Sequence, residues 1–400
     1  MKTIKVLDLF AGAGGLSHGF HNHGSFKIIA ANEILSDAAN SYRLNHRGVK
    51  VYITDIKSLL AETVLNDFDL EKGDLDLIIG GPPCQAYSTV GKRLMTDHRA
   101  ALFQEYFRML KDLRPKFFLF ENVKGLLSMQ KGELLKDIIH LFESLGYSVN
   151  YKVLNAADYG VPQVRERVII SGTLFDNSFT YPEPTHSNLD DKGIANKKRW
   201  LTIEDAIGDL PFIGSNEESS IYSSLPKSEY QKEIRKNSEK LTDHNSPKNN
   251  EWLVKIMEML PDGGTPEDLP EDLRPKSGFK NTYCRLWWNK PCTTITRNLS
   301  TPSSSRCIHP KAPRPLTTRE GARLQSFPDD YVFCGSRASK NLQIGEAVPP
   351  KLASALAASI EKHFKDNKSQ WISLTSKKGK ESCPVSGQKT QISKKPDLAF

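Results

Sequence analysis

"LDLIIGGPPC", residues 75–84, runs from an apolar stretch into two glycines, two prolines and a cysteine. A short apolar run bounded by turn residues reads as a strand covered on both faces. The chain therefore presents a thiol, Cys84, at the end of a buried strand. Outward from this point the same signal recurs at 2–10, 26–32, 49–54, 116–121, 150–154 and 166–172. Helical spacing fills the gaps. Leu102, Phe103, Tyr106, Phe107, Leu110 and Leu113 share one face over 99–114, and Leu134, Leu135, Ile138, Ile139, Phe142 and Leu145 do so over 132–145. Alternating strands and helices predict an α/β fold with a doubly wound, mostly parallel sheet. Ligands of such sheets bind where the strands end.

With 400 residues the chain is long enough for a large core and two domains. No apolar run reaches the roughly 18 residues that span a bilayer. The amino terminus reads directly as a strand rather than a secretion signal. Membrane residence is not expected, and the cytoplasm is. The six cysteines, Cys84, Cys284, Cys292, Cys307, Cys334 and Cys383, form no C-x-x-C pair. Neither a disulfide framework nor a zinc site is indicated, and no metal is expected. A net charge of +8 favours an anionic partner such as nucleic acid.

The first strand runs into "DLFAGAGGLSHGF" (8–20), where Gly12, Gly14 and Gly15 let backbone approach a ligand. The spacing is not the G-x-G-x-x-G of dinucleotide sites. Glu33 ends the second strand, where an acid can accept hydrogen bonds from a ribose diol, and Asp55 ends the third. The set fits a nucleoside cofactor, and it equally fits a glycine turn beside two exposed acids. Cys84 and Glu121 end adjacent strands, which delivers a thiol and a carboxyl to one crevice. A thiolate is a strong nucleophile once ionised. "QVRERVII" (163–170) adds Arg165 and Arg167, alternating at the start of a strand.

Taken together, "DLFAGAGG", "GGPPCQ", "ENV", "QVRER", "RLQSFPDDY" and "GEAVPP" resemble the cytosine-5 DNA methyltransferases, bacterial restriction–modification type, in order and approximate spacing. The likeness covers about residues 4–172 and 283–360. Two departures are visible: Ala86-Tyr87 where the family usually has Gly-Phe, and Glu346 where it usually has Asn. The resemblance implies the S-adenosylmethionine-dependent methyltransferase fold with a smaller target-recognition domain. It implies S-adenosyl-L-methionine as cofactor, with Phe10 stacked on the adenine, Glu33 on the ribose and Asp55 on the adenine amine. Ala11, Gly12, Gly14, Gly15, Leu16, Ile56, Pro82, Glu346, Ala347 and Val348 would line the rest of that site. Cys84 would add to carbon 6 of cytosine, Glu121 would hold N3 and the exocyclic amine, and Arg165 would bind the O2 side. Gln85 and Ser88 would lie in a loop closing over the base. The partner would be double-stranded DNA, with the target cytosine flipped out of the helix. A monomer is expected, with a restriction endonuclease as a candidate functional partner.

This reading divides the chain into a catalytic and cofactor-binding domain (1–175), a target-recognition domain (176–312), a return to the catalytic domain (313–366) and a disordered basic tail (367–400). Short helices are expected at 202–208 and 250–260, strand-like pieces at 283–297, and longer helices within 313–331 and 349–364. From Ser373 onward there are six lysines and two acids with no apolar pattern. Three rivals remain. An RNA cytosine methyltransferase would share the cysteine and "ENV" blocks. A nicotinamide oxidoreductase would explain the glycine turn but not Cys84 and Glu121. A catalytically silent DNA-binding relict is hard to reconcile with Cys84, Glu121 and Arg165 all being present.

Overall fold

The computed structural model describes residues 3–83, 101–188, 196–276 and 281–376. Cys84, Gln85 and Ser88 lie outside these, as does everything after 376. Seven strands form one sheet: β1 (Ile4–Leu9), β2 (Phe26–Glu33), β3 (Lys50–Ile53), β4 (Leu77–Gly80), β5 (Phe117–Val123), β6 (Ser148–Asn155) and β7 (Glu166–Thr173). Their order is β3-β2-β1-β4-β5-β7-β6. The first five are parallel, and β7 runs antiparallel between β5 and β6. The strand runs expected from sequence appear with their ends within two residues.

The sheet is buried on both sides because its strands carry apolar residues in both phases. Phe118 and Phe120 point into one core with α3 (Ala61–Asp67), α4 (Ala101–Leu113) and α5 (Glu133–Ser144). Phe117 and Leu119 point into the other, built with α1 (Gly15–His21) and α11 (Pro350–Asp366). Helix α2 (Ser36–Asn45) closes the outer edge through Ala39 and Tyr42 against Ala31 and Val51.

A second body of chain holds a different core. Ile203 and Ile207 of α6 (Ile203–Ile207), Tyr230 and Ile234 of α7 (Glu229–Ile234), Leu286 and Leu299 meet Leu316, Ala322, Leu324, Phe327 and Ile344. The last group comes from α9 (Thr318–Leu324), its flank and α10 (Arg337–Glu346). Residues 316–344 thus contribute side chains to this second core, whereas Val348 packs into a core of the sheet. Helix α8 (Glu251–Met259) heads a smaller cluster with Ile308.

Three expectations change. The stretch 283–297 is irregular, with isolated bridges at Arg285–Ile308 and Gln163–Cys292. Pro291, which has no N–H, interrupts any ladder there. Within 313–331 only Thr318–Leu324 is helical. Prolines bracket it, and Thr317 caps it in a reciprocal box with Glu320. Finally, residues 368–376 are not a tail but helix α12 (Lys368–Ser376). Trp371 is buried against Phe364 and donates from its indole to Asp76 at 2.7 Å.

Candidate active site

The parallel strands β1–β5 end along one edge. There the chain between β1 and α1 bends through Phe10 at φ 57°, an uncommon conformation for a non-glycine residue. A cavity of about 640 Å³ opens at this edge. Phe10, Ala11, Gly12, Gly15 and Leu16 line it from the β1–α1 turn, and Glu33, Asp55 and Ile56 from the ends of β2 and β3. Pro82, Glu121 and Arg165 reach it from β4, β5 and the approach to β7, and Glu346, Ala347 and Val348 from the segment before α11. Gly14 packs against Tyr42 and His46 behind the wall instead.

Glu33 is fixed by its own backbone neighbourhood. Its Oε2 accepts from Gly12 N–H at 2.8 Å, and its Oε1 from Leu35 N–H at 2.8 Å. Asp55 caps the following turn, accepting from Lys57 N–H at 3.0 Å. At Gly12, φ is +57° and a side chain would project into open cavity. Ile34 and Leu35 leave apolar surface uncovered on the rim. Beneath them, Asp8 is fully buried. Its Oδ2 accepts from Ser17 Oγ at 2.6 Å, while its Oδ1 has no partner. Burial pushes this carboxyl up to about 7, against the Ser17 hydrogen bond and with help from Glu33. A backbone cradle without Cβ, an apolar rim and paired acids fit an adenosine-bearing group.

The reacting end lies at β4, β5 and β7. Gly81 passes so close to Glu121 that a Cβ there would stand 2.6 Å from Oε2. Asn122 donates from Nδ2 to Pro82 O at 3.2 Å, which pins the chain leading to Cys84. Because β7 is antiparallel it begins where β5 ends, and Arg167 pairs with Val123 across the ladder. Its Nε meets Glu121 Oε1 at 2.9 Å.

Arg165 lines the same cavity but is held largely by main chain. It is 1% exposed, its Nη1 donating to Ile295 O and its Nη2 to Gly345 O and Ala347 O, each at 2.9 Å. Its Nε has no partner among the described residues, and the arginine that pairs with Glu121 is Arg167. Gln163 does similar work, bonding Leu324 O, Gln325 and Ile295 N. The pair straps two distant segments to the sheet edge. Glu346 lines the cavity from the opposite wall. Partial burial raises its carboxyl above the ordinary range, Arg297 opposes this and Glu33 reinforces it. Sequence reasoning missed Asp8 and Asn122. Asp8 lies in the glycine block at 8–20, but nothing local marks it as buried.

The fold and this edge define a class: the methyltransferase α/β fold. Over 90% of the chain it superposes on S. pombe Dnmt2, 99% of which is covered, at TM-score 0.57 and 18% identity. A protein described as a DNA modification methyltransferase from an E. coli prophage superposes at TM-score 0.71 and 26% identity, over 91% of this chain and 100% of its own. Residues 4–362 match the family of C-5 cytosine-specific DNA methylases, and the chain belongs to that family: it is a DNA cytosine-5 methyltransferase. Similar proteins include Type II methyltransferase M1.HphI of Haemophilus parahaemolyticus, 36% identical over 90% of this chain and 87% of its own. Type II methyltransferase M.DdeI of Desulfomicrobium norvegicum is 37% identical over 91% and 90%. Among the described residues no helix is long and apolar enough to cross a membrane, and no cluster of potential metal ligands occurs.

Proposed function

We propose that the enzyme uses S-adenosyl-L-methionine to methylate carbon 5 of a flipped-out cytosine in a specific double-stranded DNA sequence, through a covalent Cys84 adduct. The observation that carries this is one cavity joining the Glu33–Gly12 cradle to the Glu121–Arg167 pair. Glu33 would take the ribose hydroxyls, Asp55 the adenine amine, and Phe10 with Ile34 the ring faces. When bound, the cofactor supplies an electrophilic methyl group. Cytosine C5 is too weak a nucleophile unaided. Addition of the Cys84 thiolate to C6 moves ring electrons to C5, with Glu121 at N3 and the amine stabilising that charge. Arg167, rather than Arg165, would hold Glu121 in register and face the O2 side. After C5 gains the methyl, loss of its proton to a base expels the thiolate and restores the ring.

The reading extends to residues 176–312 as the region that reads the DNA sequence. It also extends to a monomer working in the cytoplasm beside a cognate restriction endonuclease, as the Type II names of its relatives suggest. The test is transfer of labelled methyl from the cofactor to duplex DNA, with RNA as a parallel substrate. Label should enter DNA only, Cys84→Ala should abolish it, and DNA bearing 5-fluorocytosine at the target should trap a covalent complex. Transfer to RNA, or activity in Cys84→Ala, overturns the proposal.

A further inference from the structure

A second, open cleft of about 710 Å³ adjoins the cofactor cavity, and Leu35, Arg297 and Leu342 belong to both walls. Its chemistry is unlike that of its neighbour. Two arginines face it from separate elements: Arg297 from the irregular chain before α9, and Arg337 from the start of α10. Arg297 is exposed and makes no ion pair among the described residues. Arg337 likewise makes none. Its Nη2 reaches Asn245 Oδ1 at a long 3.3 Å, and its Nε is buried without any acceptor. Asp243, two residues from Asn245, is already paired with Lys340 at 2.6 Å. Asp37 is the one acid among the described residues of the wall, so the cleft carries an excess of positive charge. Glu346 acts on Arg297 from the cofactor cavity and does not line this cleft.

A guanidinium with no carboxylate partner keeps N–H donors to offer, and a ligand oxygen that accepts them makes charge-assisted hydrogen bonds. Two forked guanidinium groups suit the oxygens of a phosphate better than a single carboxylate. We propose that this cleft is a phosphate clamp, in which Arg297 and Arg337 grip a backbone phosphodiester of the bound DNA beside the cofactor cavity. The clamp rests on the DNA methyltransferase reading given above. It holds the duplex in position and contributes affinity without sequence preference.

The test uses the full chain and a labelled mixed-sequence duplex, with binding followed by anisotropy at graded salt. Arg337→Gln and Arg297→Gln should each weaken binding about fivefold. Each should also lower the slope of log affinity against log salt by about 1, the equivalent of one phosphate no longer neutralised. Arg337→Lys should keep the wild-type slope. Arg337 does not line the cofactor cavity, so S-adenosylmethionine affinity of Arg337→Gln, by calorimetry, should equal wild type and verify its fold. Arg297 is exposed, so Arg297→Gln carries the test alone if the other variant does not fold. Unchanged slopes in the glutamine variants overturn the clamp. So does saturable binding of inorganic phosphate that Arg337→Gln abolishes while the DNA slope stays put, which would make this a site for a free anion. Methyl transfer by the wild type is measured in parallel. Its absence would sink the DNA methyltransferase reading, whereas unchanged slopes in an active enzyme sink only the clamp.

Discussion

Asp8 is the residue on which cofactor cavity and core meet. Its carboxyl is raised from 3.8 to about 7 chiefly by burial. The folded state therefore holds a proton that the unfolded chain releases near pH 4. The stabilisation is complete below that value and is lost as pH rises to about 7. Asp8→Asn removes this dependence. Its unfolding free energy relative to wild type should rise by about 2–3 kcal/mol between pH 5 and pH 8, at 1.36 kcal/mol per unit. Urea unfolding at the two pH values measures it, and a constant gap would contradict the assignment. The two arginines divide structure from chemistry. Arg167→Gln should cut single-turnover methylation about 10²-fold with little change in melting temperature. Arg165→Gln strands three carbonyls and should instead cost about 3 kcal/mol of stability. Melting curves and turnover measured together would expose the reverse pattern. At Glu346, a carboxylate facing the cavity favours a sulfonium ligand over its neutral product. Glu346→Gln should weaken S-adenosylmethionine about fivefold, the screened equivalent of about 1 kcal/mol, and leave S-adenosylhomocysteine unchanged. Calorimetry showing equal shifts for both ligands would remove the charge effect.

Among the elements, α12 shows how far a short helix depends on its partners. Its nine residues carry no charge pattern that would stabilise it alone. Trp371 anchors it, stacked edge-on to Phe364 and bonded to Asp76, which also meets Lys116 at 3.2 Å. Trp371→Ala opens a cavity and leaves Asp76 short of a donor, so about 3–5 kcal/mol should be lost. Deletion from 367 should lower the melting temperature by a comparable free energy, whereas deletion from 377 should not. Equal melting of the two truncations would show that α12 is dispensable. The strands were legible because each is a local apolar run with turn residues at its ends. Glu33, Asp55 and Glu121 were legible for the same reason, since each ends such a run. The choice between Arg165 and Arg167 was not. The two share a face only if both belong to the strand, and β7 begins at Glu166. Arg165 precedes it and is free to turn into the core.

Across the whole molecule, the second body is held together by buried charge as well as apolar contact. Arg323 of α9 lies between Asp209 and Asp329, with Asp209 also bound by Arg235 at 2.8 Å and Asp329 by Tyr222 at 2.7 Å. Burial disfavours the Asp329 carboxylate, but Arg323 and Arg319 hold it below the usual range. Such a network holds only while every partner is present. A fragment spanning 176–312 lacks α9, α10 and Arg323, so it should not fold. Its amide spectrum should be collapsed, while extension to 346 should restore dispersion. A well-dispersed spectrum for 176–312 would refute this dependence. Local pattern by itself determined the doubly wound sheet and the strand-end acids, because period-two and period-3.6 burial are written residue by residue, and the motif blocks carried the family resemblance. Only the tertiary structure decided that 316–344 belongs to the second core, that Trp371 reaches Asp76, that Arg165 straps backbone while Arg167 meets Glu121, and that two arginines line one cleft. Those contacts join residues far apart in sequence, and no local period encodes which distant partner a side chain meets.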